Sequence, residues 1–176
     1  MTITILQMTA ANKPAILTLG QSIFRAEDEL PLLHKALSLC IPALSYIAVD
    51  SNIIDAHKII GFTLVCISPT NVYFTFAIPR CFELAFLGIS PLYQGRGIGS
   101  RLLNKTLHSI FEYCEEFTCW LLVDTVNLGA QKMYEKRGFR RWMSVDTNIP
   151  AYVMGLSHRR YKQGDKLSNE KHVDPM

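Results

Sequence analysis

At 176 residues, with 49% hydrophobic and 19% charged residues, the chain has the balance of one globular domain, which excludes wholesale disorder. Its net charge of +3 is small and spread along the sequence, so charge makes no case for direct nucleic-acid binding. Residues 1–13 lack the basic stretch and long apolar core of a signal peptide, and the longest apolar run, 59–67, is too short to span a bilayer; a soluble, cytoplasmic protein without a membrane partner is expected.

Residues 2–8, TITILQM, alternate as an edge strand does and stop at Thr9, after which Asn12 and Pro14 supply a cap and an early helix position. From Lys13 to Leu39 apolar residues recur at helical spacing, interrupted at 28–31 (DELP), so the pattern predicts two helices. Strands are predicted over 44–50 and 58–68, joined by a polar loop. Residues 71–78, NVYFTFAI, are rich in strand formers and end at Pro79, which fits either a further strand or an extension of that hairpin. Residues 81–90, CFELAFLGIS, are apolar enough to lie centrally in a sheet. Past a glycine-rich turn, Ile98, Leu102, Leu103, Leu107, Ile110, Phe111 and Cys114 trace one helix face. Residues 118–125 read as a buried strand, and 128–138 as a short helix stopped by Gly138 in the left-handed cap position. Two closing strands follow near 139–145 and 150–156, and the polar residues 157–176 are expected to form a mobile tail. The element pattern is α/β (mixed α+β), with one domain over residues 1–156.

Cys40, Cys66, Cys81, Cys114 and Cys119 sit singly in apolar runs without a C-x-x-C pair, and read as buried, reduced thiols. His34, His57, His108, His158 and His172 show no metal-ligand spacing, so no metal is expected.

The stretch YQGRGIGSRLL, 93–103, stands where the apolar strand hands over to the amphipathic helix. Glycine lets backbone approach a ligand closely, and the N–H groups at a helix start, here of residues 95–100, form a concave anion site. The alternative is a tight strand-to-helix turn that uses glycine for close packing. A P-loop is excluded, because no Gly-Lys-Ser/Thr occurs. A dinucleotide fingerprint needs glycine where Ser100 stands and an acid at the end of the next strand. Asp124 would supply the acid, but the strands before the loop are not separated by helices.

The stretch ELAFLGISPLYQGRGIGSRLLNKTL at 83–107, followed by VDTVNLGAQKMYEKRGFRRW at 123–142, resembles the GNAT superfamily of acetyl-CoA-dependent N-acyltransferases. The shared features are a strand, Q/R-x-x-G-x-G/A opening a long helix (Gln94, Gly97, Gly99), a second strand, Asn127, a short helix bearing Tyr134, and Gly138-Phe139. The likeness covers roughly residues 2–156, strongly from Glu83 to Trp142 and by element order alone before that. It implies a mixed, mostly antiparallel central sheet of six to seven strands, with helices on both faces and a splay between the fourth and fifth strands. It also implies direct transfer of acetyl from acetyl-CoA to a primary amine: a protein lysine or N-terminus, or a small amine. The anion at the glycine loop is then the coenzyme pyrophosphate, held by Gln94, Gly95, Arg96, Gly97, Ile98, Gly99 and Ser100. Main-chain groups of Leu87, Gly88 and Ile89 face the pantetheine and thioester oxygen, where a backbone donor serves as an oxyanion site. Asn127 bonds the pantetheine arm, caps its own helix, or does both.

The resemblance places a general base at Glu83, the one acid in residues 81–89, and burial there should raise its pKa toward the working pH. The bland alternative is an acid on the open face of the strand, paired with Arg80. Tyr134 matches the tyrosine that protonates the departing thiolate; the alternative is a core tyrosine. Arg96 and Arg101 either touch the phosphates or are solvated, and Lys105 reads as surface. Glu27, Asp28 and Glu29 suit a cationic acceptor, though a solvated helix face explains them as well. Acceptor identity stays open, as does a homodimer. The rival function is a non-catalytic acyl-CoA-binding or interaction module on the same fold.

Overall fold

The computed structural model describes residues 2–52, 59–67, 81–114, 117–146 and 149–170. In chain order the strands are β1 (Ile3–Gln7), β2 (Tyr46–Asp50), β3 (Ile59–Cys66), β4 (Cys81–Ile89), β5 (Thr118–Asp124), β6 (Arg140–Val145) and β7 (Ala151–Ser157). The helices are α1 (Lys13–Ile23), α2 (Glu29–Leu39), α3 (Ile98–Tyr113), α4 (Leu128–Lys136) and α5 (His158–Glu170). The strand expected over 71–78 lies outside the described residues.

One seven-stranded sheet runs in the order β1-β2-β3-β4-β5-β7-β6. Every neighbouring pair is antiparallel except β4 and β5, which are parallel, so the mixed sheet implied by the resemblance is present. β3 is buried along its whole length because helices cover both faces of the sheet. Phe62, Leu64 and Cys66 pack with Ile16 of α1 and Leu33, Ala36 and Leu37 of α2. On the other face Val65, Phe82 and Leu84 meet Leu103, Leu107 and Ile110 of α3. Each fully enclosed Leu, Ile or Phe contributes about 1.5–3 kcal/mol. Thr106, buried on that face of α3, is satisfied by Thr63 of β3 at 2.8 Å.

Three local details differ from the sequence expectation. Asn12 does not cap α1 with its side chain; its Oδ1 accepts from Thr9 N–H and Thr9 Oγ1 (2.8 and 2.9 Å), closing the 3-10 turn before the helix. The break between α1 and α2 falls at Phe24–Asp28, and Pro31 sits inside the first turn of α2, where its missing N–H costs nothing. Residues 158–170, expected as tail, are helical. His158 and Tyr161 stand one turn apart and both lie against Phe111 and Phe117, an aromatic cluster that docks the start of α5. Gly138 does end α4 with φ +90°, as expected.

Candidate active site

The splay follows from the register. β4 and β5 pair only over Cys81–Thr118, Phe82–Cys119 and Glu83–Trp120, and beyond Glu83 no strand lies along that edge of β4. The pairing of β3 with β4 slips at the same level. Leu64 faces Phe86 and Val65 faces Leu84, so Ala85 is an extra residue in β4. Such a bulge bends the strand and re-aims its main chain, here away from β5. A cleft of about 510 Å³ opens between the strands. Leu87, Asn127, Ala130, Met133 and Tyr134 are among its lining residues, as are Phe24, Arg25 and Leu32 from the α1–α2 region, Glu83 and Phe86 of β4, and Val145 and Ile149.

Between β4 and α3 Gly95 and Gly97 both take φ +74°, a left-handed conformation that L side chains adopt at a cost of about 1–2 kcal/mol. A Cβ at either position would meet nothing within 4 Å, so the main chain there faces open space. Gly97 is the N-cap of α3 and makes no side-chain cap, while Ile98, Gly99 and Ser100 follow as the first turn, whose N–H groups have no intrahelical acceptor. Gln94 points back: its Nε2 donates to Ile89 O at 3.1 Å and braces the loop on β4. The Arg96 guanidinium lies over the Tyr93 ring at 5.3 Å, and Tyr93 Oη donates to Asp50 at 3.0 Å. Arg101 is turned away from the loop, donating to Ile3 O at 2.9 Å. Gly99 serves packing: a Cβ there would stand 3.3 Å from Met133 Sδ, so its absence lets α3 approach α4. Gly88 likewise leaves room for the rings of Phe62 and Phe24.

The two sequence-predicted catalytic side chains reach the same cleft from opposite faces of the sheet. Glu83 alternates with Phe82 and Leu84, which face α3, so its carboxylate projects toward α1 and α2; only 3% of the residue is exposed. That burial replaces the expected alternative of an acid on an open face, and Arg80 lies outside the described residues. Tyr134, 7% exposed, comes from α4 with its ring 5.7 Å from that of Phe139. Burial pushes its phenol well above the ordinary range, with the neighbouring Cys119 thiol adding to the shift, so it stays protonated. Asn127 caps α4, its Oδ1 accepting from Ala130 N–H at 3.1 Å, and it also lines the cleft.

Around Glu83 the thiols of Cys66 and Cys81 are pushed up to about 12 and about 11, by burial first and then by the nearby carboxylate. They are protonated, unreactive thiols at neutral pH. Among the described residues no group of three His, Cys, Asp or Glu could hold a metal ion, and no helix is long and apolar enough to cross a membrane.

The periodicity of the sequence did not reveal the far wall. Arg25, in the α1–α2 turn, spans the cleft mouth: its Nη2 lies 3.3 Å from Asp124 Oδ2 at the end of β5, and its Nε 3.3 Å from Glu29 Oε2. Gln131 fixes the end of β5, donating to the carbonyls of Asp124 and Thr125 at 2.8 and 2.9 Å while accepting from Arg141 at 2.8 Å. A Gln one turn into the short helix after β5 was the sequence signal for that brace.

Residues 19–139 match the model of the Acetyltransferase (GNAT) family. A stretch of 63 residues is 38% identical to the N-alpha-acetyltransferase RimI of Mycobacterium tuberculosis, covering 36% of this chain and 37% of that protein. Over 102 residues the chain is 30% identical to the mycothiol acetyltransferase of Mycobacterium leprae, covering 56% of this chain and 30% of that protein. The chain thus spans about a third of the length of these curated relatives. Among solved structures, a chain of the NatC complex bound to Gag peptide and CoA superposes with a TM-score of 0.73 at 22% identity, covering 89% of this chain and 99% of that one, a likeness of fold.

Proposed function

The chain belongs to the Acetyltransferase (GNAT) family, and from that premise we propose that it transfers an acetyl group directly from acetyl-CoA to a primary amine. The observation that carries this reading is the cleft at the splay, with a buried carboxylate entering from one face and a protonated phenol from the other, together with the open glycine loop between β4 and α3. The relatives support the acceptor class: one is named for N-alpha-acetylation, and the NatC structure contains a peptide.

The coenzyme supplies an activated acetyl thioester. The residues present fit it, because the main chain at Gly95 and Gly97 faces open space and the first-turn N–H groups of α3 have no intrahelical acceptor. In this reading the N–H groups from Gly95 to Ser100 bind the pyrophosphate, helped by the N-terminal dipole of α3. Gln94 and Arg96 hold the loop in shape through Ile89 and Tyr93. The main chain of Leu87, Gly88 and Ile89, on the edge that β5 leaves uncovered, orients the pantetheine and polarises the acetyl carbonyl. Asn127 holds the arm from the other side while capping α4.

Glu83 accepts the proton that the incoming ammonium must lose before its nitrogen is nucleophilic. Tyr134 Oη donates a proton to the departing sulfur. The two groups approach from opposite faces, so base and acid do not compete for one proton. The hydrophobic wall of Phe24, Phe86 and Leu122 excludes water, which would otherwise hydrolyse the thioester.

The test is coenzyme release measured with a panel of amines at saturating acetyl-CoA. Amine-dependent release supports transfer. Tight acetyl-CoA binding with no release by any peptide α-amine, lysine or polyamine would instead leave a non-catalytic acyl-CoA-binding module.

A further inference from the structure

The acceptor side of the cleft carries a charge pattern that acetyl transfer as such does not require. Among the described residues, five carboxylates line the cleft (Glu27, Asp28, Glu29, Glu83, Asp124) and Arg25 is the one cation. Glu27 and Asp28 are exposed, so solvent and salt screen them. Glu29 and Asp124 are partly buried, and those are the two that the Arg25 guanidinium contacts, each at 3.3 Å. Glu29 is held through its carboxylate and Asp124 through its main chain. Glu29 Oε2 also accepts the Arg25 main-chain N–H at 2.9 Å, and the Arg25 carbonyl accepts from Glu29 and Leu30 N–H at 3.1 and 3.2 Å, closing the α1–α2 turn on itself. The Asp124 carbonyl is bonded by Gln131 Nε2 and by Asn127 N–H. The guanidinium is therefore stationed between two carboxylates, one of them on Asp124, 99 residues from Arg25 in sequence, at the point where the α1–α2 turn meets the end of β5. The same cleft is also lined by the apolar side chains of Phe24, Pro31, Leu32, Phe86 and Ile149.

We propose that Arg25 is a specificity-determining residue: it occupies the site where a second positive charge of the acceptor would bind, and so reserves the cleft for a monoamine flanked by an apolar group. The inference rests on the acetyltransferase reading and goes beyond it by naming the acceptor class. An acceptor entering by the α1–α2 turn places its amine at Glu83 and its apolar substituent against Phe24, Leu32 and Phe86. A polyamine would put its next ammonium near Asp124 and Glu29, where it meets a guanidinium rather than free carboxylates. Chain-terminal α-amines with an apolar first side chain satisfy this chemistry.

The experiment compares kcat/KM for leucinamide and for spermidine at saturating acetyl-CoA, in the full chain and in two variants. The wild type should favour leucinamide. Arg25→Gln frees both carboxylates and should raise the spermidine-to-leucinamide ratio about tenfold, from the strength of two partly exposed ion pairs, with the gain disappearing in high salt. Asp124→Asn leaves the guanidinium but removes a carboxylate, so it should move the ratio the opposite way. If Arg25→Gln does not fold, the sign of the Asp124→Asn effect decides. A wild type that prefers spermidine, a ratio within twofold of wild type in folded Arg25→Gln, or a rise in Asp124→Asn overturns the proposal while leaving acetyl transfer standing. Failure of every amine to release coenzyme removes both.

Discussion

Replacing Tyr134 by Phe deletes one oxygen from the centre of the cleft and keeps the ring that packs 5.7 Å from Phe139. The hydroxyl donates no hydrogen bond to another described residue, so its loss strands no partner. Stability should stay within about 1 kcal/mol of wild type, as near-isosteric core changes do. The rate has further to fall. A phenol held protonated by burial remains available as an acid through neutral and mildly alkaline pH, whereas the variant must let the thiolate leave unassisted. Loss of one positioned acid corresponds to a drop of roughly 10- to 1000-fold, or about 1.4–4 kcal/mol in the barrier. Single-turnover release of coenzyme thiol, measured beside calorimetric titration with acetyl-CoA, separates chemistry from binding. Affinity should change little. Normal turnover at saturating acetyl-CoA in a folded Phe variant would show that Tyr134 is a core residue and refute the acid assignment.

Three further outcomes are expected. Gly97→Val should weaken acetyl-CoA binding at least tenfold in calorimetry, because φ +74° is strained for a β-branched residue and the side chain would enter the cradle. Gly99→Ala, whose Cβ would meet Met133 rather than the cradle, should act more weakly, and equal losses would contradict the division of roles. Glu83→Gln should lower turnover by roughly 100-fold with acetyl-CoA affinity little changed, and equal losses in binding and rate would mark it as structural. The thiols of Cys66 and Cys81, raised from 9.0 to about 12 and about 11, favour the folded state fully below pH 9. That contribution is lost as pH rises from 9 through the folded values, so melting temperature should fall there. A Cys66→Ala, Cys81→Ala protein should show a flatter alkaline limb, and unchanged slopes would contradict this origin.

The glycine loop and Glu83 stood out because each breaks a local pattern, glycines at alternate positions and an acid in an apolar strand, while Tyr134 was singled out through the resemblance, between Asn127 and Gly138-Phe139. Contacts between distant segments were not. The Arg25–Asp124 pair joins residues 99 apart, and nothing in either neighbourhood announces the other. The bulge at Ala85 depends on the partner strand, since β4 alone reads as an uninterrupted run. The placement of β7 between β5 and β6 likewise follows from pairing rather than from strand patterning. The α5 helix escaped notice because two aromatic contacts, His158 and Tyr161, sit within otherwise polar sequence. Gly99 carries a packing role that its motif position did not announce, since a Cβ there would crowd Met133, Leu87 and Ile89.

The central claim is direct transfer at the splayed strands, and stoichiometry tests it most directly. Protein saturated with acetyl-CoA is mixed with an amine that supports coenzyme release, and thiol, acetylated amine and protein mass are followed together. The account predicts one acetylated amine per coenzyme thiol released, with no acetyl group on the protein at any time. Thiol release without acetylated amine, or an acetyl group appearing first on a side chain of the protein, would contradict it.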